Sequence, residues 1–269
     1  MTPSEPLPGN PFPVMERMTV KLVREYLARK RSILLPIGII EQHGYHLPLK
    51  TDALIAERLA WKIGAELDLL AAPVITASFS GGGLPGTINI SPAVMSLVVG
   101  DTLLSLASQG FRNFYLLLGH GGSENARALQ DALRLMLRSN PAFAEVLIAL
   151  LPVWKFGPPE GWAQALRDRD WHAGWLETSM VMALAPDWVR MQDLELDPDP
   201  LLKLQIEHPD NYQRSEKIVD DPCVVPRQSQ RPNIRVGVMG DPRKASPELG
   251  RRIVEGTVRD MAAKIRELE

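Results

Sequence analysis

Two histidines and two acidic residues lie within twelve positions in the stretch EQHGYHLPLKTD, from Glu41 to Asp52. The whole chain has only five histidines, so this density is unusual. Glu41 and His43 are two positions apart, and in an extended chain that spacing puts both side chains on the same side. Imidazole and carboxylate groups without thiolate suit zinc, manganese or iron in a site with open positions, which is the catalytic pattern.

Two further segments carry the same residue types. His120 follows an apolar run in LLLGHGG, where the glycines beside it let the backbone approach another group closely. The segment HAGWLETS offers His172 and Glu177 near a predicted helix start. An isolated E-x-H motif usually indicates two surface residues or an ordinary hydrogen-bonded pair. Three histidines and three carboxylates, all at predicted junctions between strands and helices, indicate one metal site instead.

The elements that must position these residues alternate between strand and helix. Unalternating apolar runs such as SILLPIGII are typical of parallel strands that are covered on both faces. The pattern predicts one α/β domain, a three-layer sandwich with a mostly parallel sheet, whose ligands gather where the strands end. Strands are predicted over 32–40, 69–78, 111–118, 144–154 and 234–242, and helices over 19–31, 51–67, 92–110, 123–140, 177–185 and 247–268.

Local signals set the helix starts and the domain limits. Thr51 or Asp52 is the predicted N-cap of one helix, and the Ser91-Pro92 pair begins another. Residues 1–12 form a proline-rich tail ahead of a domain that spans 13–269. Within that domain, the polar, proline-rich segment 197–233 lacks periodicity, and we expect an irregular insertion that lines or covers the site or contacts another subunit.

Composition excludes several classes of protein. With 45% apolar and 23% charged residues and a net charge near −2, the chain has no electrostatic reason to bind nucleic acid or an anionic membrane. No window approaches the ~20 apolar residues of a transmembrane helix, and the N-terminal segment has prolines where an export signal needs an apolar core. A single cysteine, Cys223, excludes an intramolecular disulfide and a thiolate zinc knuckle. We therefore expect a cytoplasmic protein.

Five segments resemble, in order and spacing, the motifs of the creatininase (creatinine amidohydrolase) family. The resemblance covers nearly the whole chain from about Pro13. It implies a single α/β sandwich domain, two divalent metal ions and hydrolysis of a C–N bond in a small polar amide, cyclic or linear. It also implies a homo-oligomer, commonly a hexamer. The segments are LLPIGIIEQHGYHLPLKTD, LPGTINIS, LLLGHGGSEN, HAGWLETSMVMALAPD and RVGVMGDPRKASPELG.

The resemblance also implies a role for each candidate residue. Gly122 stands where creatininase itself has a glutamate ligand. We assign this ligand role to Glu177 of the H-x-G-x-x-E motif and count Glu177 among the catalytic residues. The general acid/base histidine of the family matches His172. Zinc is the expected metal, with manganese or iron as alternatives. By the same correspondence Glu41 and His120 would bind one ion, His43 the other, and Asp52 would bridge the two.

Other departures from the family pattern concern the substrate. Tyr45 stands where the family often has proline, and SGGGLPGT stands where many members carry Glu-His ahead of P-G-T. These differences argue against creatinine itself as the substrate. Glycines that open a helix offer backbone N–H groups to a carbonyl or anionic oxygen, and tryptophans can wall a pocket. The predicted substrate contacts are Tyr45, Gly121, Gly122, Ser123, Trp154 and Trp175.

The predicted chemistry follows from these groups. Two divalent cations ~3.5–4 Å apart can hold a bridging hydroxide and polarise a carbonyl. A histidine with a pKa near ~6.5 can then protonate the leaving nitrogen. The sequence thus predicts a metal-dependent amidohydrolase acting on a small molecule. Two alternatives stay open: a peptidase-like family member that trims a short peptide, and a non-catalytic metal-binding protein with a structural or regulatory role, which the missing glutamate at Gly122 would fit.

Overall fold

The computed structural model describes residues 14–269, so the predicted tail over 1–12 lies outside the described residues. A four-stranded, fully parallel sheet forms its centre. The strands are β1 (Ser32–Ile37), β2 (Leu70–Ala71), β3 (Asn113–Leu118) and β4 (Leu147–Pro152). Their order is β2-β1-β3-β4, and each strand of the central pair is buried along nearly its whole length.

Helices cover both faces of this sheet. In the described residues they are α1 (Val20–Leu27), α2 (Thr51–Leu67), α3 (Pro92–Ser108), α4 (Ser123–Ser139), α5 (Trp162–Asp168), α6 (Trp175–Leu184), α7 (Asp199–Glu207) and α8 (Pro247–Leu268). Leu34 and Leu117 pack in a core with α2, α6 and α8, whereas Ile33 and Leu116 pack in a second core with α1, α3 and α4. The predicted three-layer α/β sandwich is confirmed, and its two cores explain why the strand sequences do not alternate.

Local sequence signals predict the N-cap of α3 correctly and the N-cap of α2 incorrectly. The Ser91 side chain caps α3 as expected, because its hydroxyl accepts the N–H of Val94. The prediction that Thr51 or Asp52 caps α2 is wrong, since Lys50 occupies the N-cap position and offers no side-chain bond. The Thr51 hydroxyl donates to the Pro48 carbonyl instead. The Asp52 carboxylate contacts His43 and His120 instead.

Two of the predicted strands differ from the structure. The strand expected over 69–78 is reduced to β2, because it lies at the sheet edge and Pro73 has no N–H to continue the ladder. The strand expected over 234–242 does not form. Gly237 has a φ of +76°, which breaks the extended run, and Met239 makes one isolated antiparallel bridge with His172. This stretch therefore faces a loop rather than a neighbouring strand.

The segment 197–233 contains more regular structure than its sequence indicated. It includes α7 and an antiparallel hairpin of β5 (Gln213–Glu216) and β6 (Arg227–Gln230). The hairpin strands, QRSE and RQSQ, are polar on both faces, so they give no alternating signal. Across the described chain, no helix has both the length and the apolar character needed to cross a bilayer.

Candidate metal centre

The ends of the two central strands meet the start of α2 at one edge of the sheet. Gly38 and Gly119 follow β1 and β3, and a Cβ on them would lie only 2.4 Å from Ala53 Cα and 2.3 Å from the Asp52 carbonyl oxygen. Glycine is therefore required at both positions for α2 to approach this closely. The approach puts Asp52, in the first turn of α2, beside the residues that follow each strand.

One group of possible ligands combines Glu41, Asp52 and His120. The His120 Nδ1 atom lies 2.8 Å from Asp52 Oδ2 and 3.0 Å from Glu41 Oε1. Glu41 and Asp52 are buried, and one atom of each of the three side chains lies within 4.8 Å of the others. Two carboxylate oxygens and an imidazole nitrogen thus converge on one point, which is a donor set that suits zinc or manganese.

A second group shares Asp52 and adds His43 and Glu177. The His43 Nε2 atom lies 3.1 Å from Asp52 Oδ1 and 3.7 Å from Glu177 Oε2. These three side chains are all buried and also meet the 4.8 Å limit. The two oxygens of Asp52 are therefore divided between the groups, Oδ2 toward His120 and Oδ1 toward His43. A carboxylate in this position can bridge two cations.

Backbone carbonyls orient both imidazoles with a lone pair toward the carboxylates. The His120 Nε2 atom lies 3.1 Å from the Phe79 carbonyl, and the His43 Nδ1 atom lies 3.1 Å from the Glu41 carbonyl. Since a carbonyl only accepts, we assign the ring proton to these nitrogens. The opposite nitrogen of each ring then faces carboxylate oxygens, an arrangement of acceptor against acceptor that a cation between them would stabilise. Histidine ligands in metal sites are commonly oriented in this way.

The electrostatics of the centre favour bound positive charge. Burial would lower the pKa of His43, yet the negative charges of Asp52, Glu177 and Glu41 outweigh burial and raise its pKa to about 10. The pKa of His120 is raised well above its usual value for the same reason, with Glu41 as the largest attractive charge. Burial raises the pKa of Glu177 to about 8. Three carboxylates held together in the interior therefore attract a cation, either a proton or a metal ion.

His172 lies beside the second group with a free ring nitrogen. Its Nε2 atom lies 2.7 Å from the Gln42 carbonyl oxygen and 3.0 Å from the Gln42 side-chain amide nitrogen, and we assign the ring proton to Nε2 because the carbonyl, the closer of the two, only accepts. The Nδ1 atom lies 4.0 Å from Glu41 Oε1. Its ring stacks obliquely on that of His43, with centroids 4.2 Å apart. Burial, together with the charge of His43 when it is protonated, lowers the pKa of His172 to about 4, so the ring is neutral at pH 7. With its proton on Nε2, the ring directs an unprotonated Nδ1 to the centre.

Gly122 packs closely against the side chains of His120 and Asn125. A Cβ there would lie 2.7 Å from His120 Nε2 and 2.8 Å from Asn125 Nδ2. A side chain at this position would require the ends of these two side chains to shift. Gly122 itself offers no ligand, and the structure brings Glu177 to the second group.

A cavity of about 380 Å³ opens onto the centre. Of the predicted substrate contacts, Gly121, Gly122, Ser123 and Trp154 line it. The structure does not bring the other two to the cavity. Tyr45 is 47% exposed and its hydroxyl donates to the Arg235 carbonyl, while Trp175 is buried in the core beneath α6.

Several residues that line the cavity have no motif in the sequence. They come from α4, from α5 and the connection that follows it, and from the segment 197–233, so that this segment forms part of the wall. The Tyr212 hydroxyl donates to the Ser80 carbonyl at 2.6 Å, and the Gly83 N–H donates to Gln230 Oε1, which joins this segment to the glycine-rich loop. His46 Nε2 lies 3.0 Å from Thr178 Oγ1 in α6. Further lining residues are Gln42, Glu124, Trp162, Leu166, Asp170, Trp171, Gln205 and Asp210.

Comparison with known proteins shows consistent similarity over nearly the whole chain. Residues 16–265 match the model of the family described as Creatininase, creatinine amidohydrolase. The creatinine amidohydrolase of Pseudomonas putida is 26% identical over 264 residues, covering 91% of this chain and 94% of its own. The mycofactocin precursor peptide peptidase of Mycolicibacterium smegmatis is 30% identical over 244 residues, covering 87% of this chain and 84% of its own.

Solved structures show the same likeness in three dimensions. A tryptophan-to-phenylalanine mutant creatininase superposes with a TM-score of 0.75 at 25% identity, covering 94% of this chain and 97% of its own. A creatininase described as the manganese form has a TM-score of 0.74, and a mutant creatininase of the Zn–Zn type has a TM-score of 0.73, both at 25% identity. They cover 95% and 94% of this chain and 98% and 97% of their own.

Proposed function

This chain belongs to the creatininase family of hydrolases, and from that premise we propose that it is a dinuclear metal-dependent amidohydrolase that cleaves a C–N bond of a small polar amide. The observation that carries the proposal is the division of the Asp52 carboxylate between two sets of ligands. Its Oδ2 atom lies 2.8 Å from His120 Nδ1, in the set that includes Glu41. Its Oδ1 atom lies 3.1 Å from His43 Nε2, in the set that includes Glu177. One bridging carboxylate between two such sets is the arrangement expected of two metal ions.

The residues present fit a pair of divalent ions. Glu41 Oε1 is buried and has no hydrogen-bond partner, although it lies 3.0 Å from an imidazole nitrogen. Three carboxylates would neutralise most of the charge of two such ions. Zinc is our first choice and manganese or iron the alternatives, because the donors are nitrogen and oxygen without sulfur. The described zinc and manganese forms of related creatininases support this choice.

The chain's own residues supply proton transfer and orientation. When bound, the metal pair would provide a nucleophile at neutral pH and stabilise charge on the substrate carbonyl. His172 accepts a proton at its free Nδ1 atom and can return it to the leaving nitrogen. The Gln42 carbonyl fixes this tautomer by accepting the Nε2–H. Backbone N–H groups at the start of α4, near Gly121 and Gly122, face the same cavity and could bind a substrate oxygen.

The cavity walls favour a substrate without negative charge. Trp154, Trp162 and Trp171 line it, whereas no lysine or arginine does among the described residues. Glu124 and Asp210 add carboxylates to the lining beyond those of the metal centre. A flat or apolar body can pack on the tryptophans, and a neutral or cationic polar group would be tolerated beside the carboxylates.

A charge-matched pair of substrates tests this preference. We expect a small amide with an ammonium or neutral substituent to have a kcat/KM at least about tenfold above that of the same amide bearing a carboxylate, or about 1.4 kcal/mol. Glu124→Gln should narrow the difference, whereas Asp101→Asn, on the exposed side of α3, should leave it unchanged. Equal turnover of both substrates would show that the lining does not select charge.

The second candidate is a peptidase that trims a short peptide. The mycofactocin precursor peptide peptidase relative, at 30% identity, supports it. A peptide cut near its C-terminus would bring a carboxylate into a cavity whose lining has no lysine or arginine in the described part of the chain. The same assay therefore separates the candidates, since a peptidase of that type would hydrolyse short peptides with free C-termini better than the ammonium amide. The non-catalytic alternative predicts no turnover of either.

Association and location complete the proposal. We propose a homo-oligomer, with a hexamer as the state that the family resemblance suggests. Exposed apolar side chains on α3 and α4, Leu97 at 67% and Leu135 at 65% exposure, offer a surface that a second copy would cover.

A cytoplasmic location is supported by the lone cysteine, Cys223, which is a free thiol.

A further inference from the structure

We propose that Asp170 is a positioning residue that sets the places of both His172 and Glu177 through backbone contacts. The proposal rests on the proposed function, because it concerns the two residues that would act as acid/base and as metal ligand. Asp170 is only 7% exposed and lies between the end of α5 and the HAGW turn. No sequence motif singles it out.

The Asp170 carboxylate holds two separate segments of backbone. Its Oδ1 and Oδ2 atoms accept the N–H groups of Trp175 and Leu176, each at 3.0 Å, in the first turn of α6. Oδ1 also accepts the N–H of Asp241 at 3.3 Å. The N-cap residue Gly174 has no side chain to cap α6. Asp170 therefore caps the helix from four residues upstream and ties it to the 235–241 segment.

The Asp170 carboxylate is packed tightly against two glycine residues. A Cβ on Gly174 would lie 1.7 Å from Asp170 Oδ1, and a Cβ on Gly240 would lie 2.0 Å from the same atom. Two glycines from different segments thus close around one buried oxygen. The contact fixes the separation of α6 from the 235–241 segment to within the tolerance of a hydrogen bond.

The turn that contains His172 lies between the two segments that Asp170 joins. The Trp171 N–H donates to the Met239 carbonyl at 2.8 Å, and the Met239 N–H donates to the His172 carbonyl at 2.8 Å. Ala173, the next residue, has a φ of +52°, a left-handed conformation that costs free energy in a non-glycine residue and persists only where its surroundings hold it. Its N–H donates to Glu177 Oε2 at 2.6 Å. One carboxylate therefore positions the acid/base and the ligand together.

Asp197 supplies a matched control. It is 3% exposed, and its carboxylate accepts the N–H groups of Arg235, Val236 and Gly237 at 2.8, 3.2 and 2.8 Å. It therefore holds the opposite end of the same 235–241 segment with the same number of backbone bonds. None of these bonds involves α6, so Asp197 shares the structural role of Asp170 without the link to Glu177.

Zinc titration of metal-free protein tests the proposal. Asp170→Asn keeps the shape of the side chain but replaces one acceptor by a donor, so α6 should move from the centre. We expect wild-type protein to bind two Zn²⁺ per chain, and Asp170→Asn to retain one at full affinity while the other weakens about 10- to 100-fold. Asp197→Asn should lower the melting temperature comparably, yet bind both ions as wild type does. Isothermal titration calorimetry and a melting curve of each variant give both readouts.

Each outcome decides the question. Wild-type affinity for both ions in Asp170→Asn, or the same weakening in Asp197→Asn, would overturn the positioning role. If Asp170→Asn does not fold, Gly240→Ala provides a second variant, because its methyl group presses on the intact carboxylate. It should show the same selective loss, and unchanged binding would contradict the proposal. A wild-type chain that binds fewer than two ions contradicts the proposed function, and the wild-type titration alone reveals that.

Discussion

Asp52→Ala should remove both metal ions from the chain and lower kcat/KM at least about 1000-fold, because both sets of ligands share this carboxylate. Of the two sets proposed to bind metal, loss of Glu41 or Glu177 should affect one only, so Asp52 is the residue whose substitution has the largest expected effect. Metal content after dialysis, measured by plasma mass spectrometry, and steady-state kinetics on the amide substrate give the two readouts.

Asp52→Asn serves as the companion variant. It preserves the size of the buried side chain but removes its charge, and we expect the same loss of metal. Asp101→Asn, on the exposed side of α3, controls for removal of an aspartate that lies outside the site. If Asp52→Ala kept two ions per chain, the shared-bridge arrangement would be incorrect, whatever the activity of the variant.

His172→Ala should have the second largest effect and a different signature. We expect both metal ions to stay bound while kcat falls about 10²- to 10⁴-fold, the usual contribution of a positioned acid/base. KM should change little, since the tryptophans and the α4 start that line the cavity remain. The expectation rests on the free Nδ1 atom, which the Gln42 carbonyl orients toward the centre by accepting the Nε2–H.

A surface histidine provides the control for this variant. His208 has a side chain that is 63% exposed and lies outside the centre, so His208→Ala should leave both metal content and kcat unchanged. Loss of an ion in His172→Ala would instead make His172 a ligand, since its Nδ1 atom also falls within a third possible set with Glu41 and His43. Full activity would exclude it from proton transfer.

Much of the centre could be predicted because its residues sit at ends of apolar runs. Glu41 and His43 follow β1, His120 follows β3, and Asp52 opens the helix between them, so the parallel topology alone brings them to one edge. Residue type and position at a predicted helix start also predict Glu177 as a candidate, whereas its role in place of the ligand missing at Gly122 comes from the family resemblance. The structure brings all of these side chains together, while their individual roles as ligands stay a prediction.

Other features could not be predicted for identifiable reasons. The run IRVGVMGDP has the composition of a strand, yet its conformation depends on the positive φ of Gly237 within the run and on Asp170 and Asp197, which bind its backbone from outside the run. The sequence predicts substrate contacts at Tyr45, from its departure from the family pattern, and at Trp175, because a tryptophan can wall a pocket. Which face of a helix or turn meets a cavity depends on packing that single-sequence spacing does not contain, and both side chains lie elsewhere.

The polar hairpin of residues 213–230 could not be predicted either, although here regular structure is present where the sequence shows no pattern. Its strands, four residues each, pair through backbone hydrogen bonds, and their polar side chains leave no periodic trace. Tyr212 and Gln230 nevertheless join this segment to the glycine-rich loop over the cavity. The substrate wall is therefore the part of the protein that sequence patterns describe least, and it is where members of the family would be expected to differ.

A crystal structure of the zinc- or manganese-loaded protein, with anomalous scattering measured at the metal edge, tests the central claim most directly. The account predicts two ions per chain ~3.5–4 Å apart, with Asp52 bound to both. It also predicts Glu41 and His120 on one ion and His43 and Glu177 on the other. A single ion, or two ions without a shared Asp52, would contradict the account.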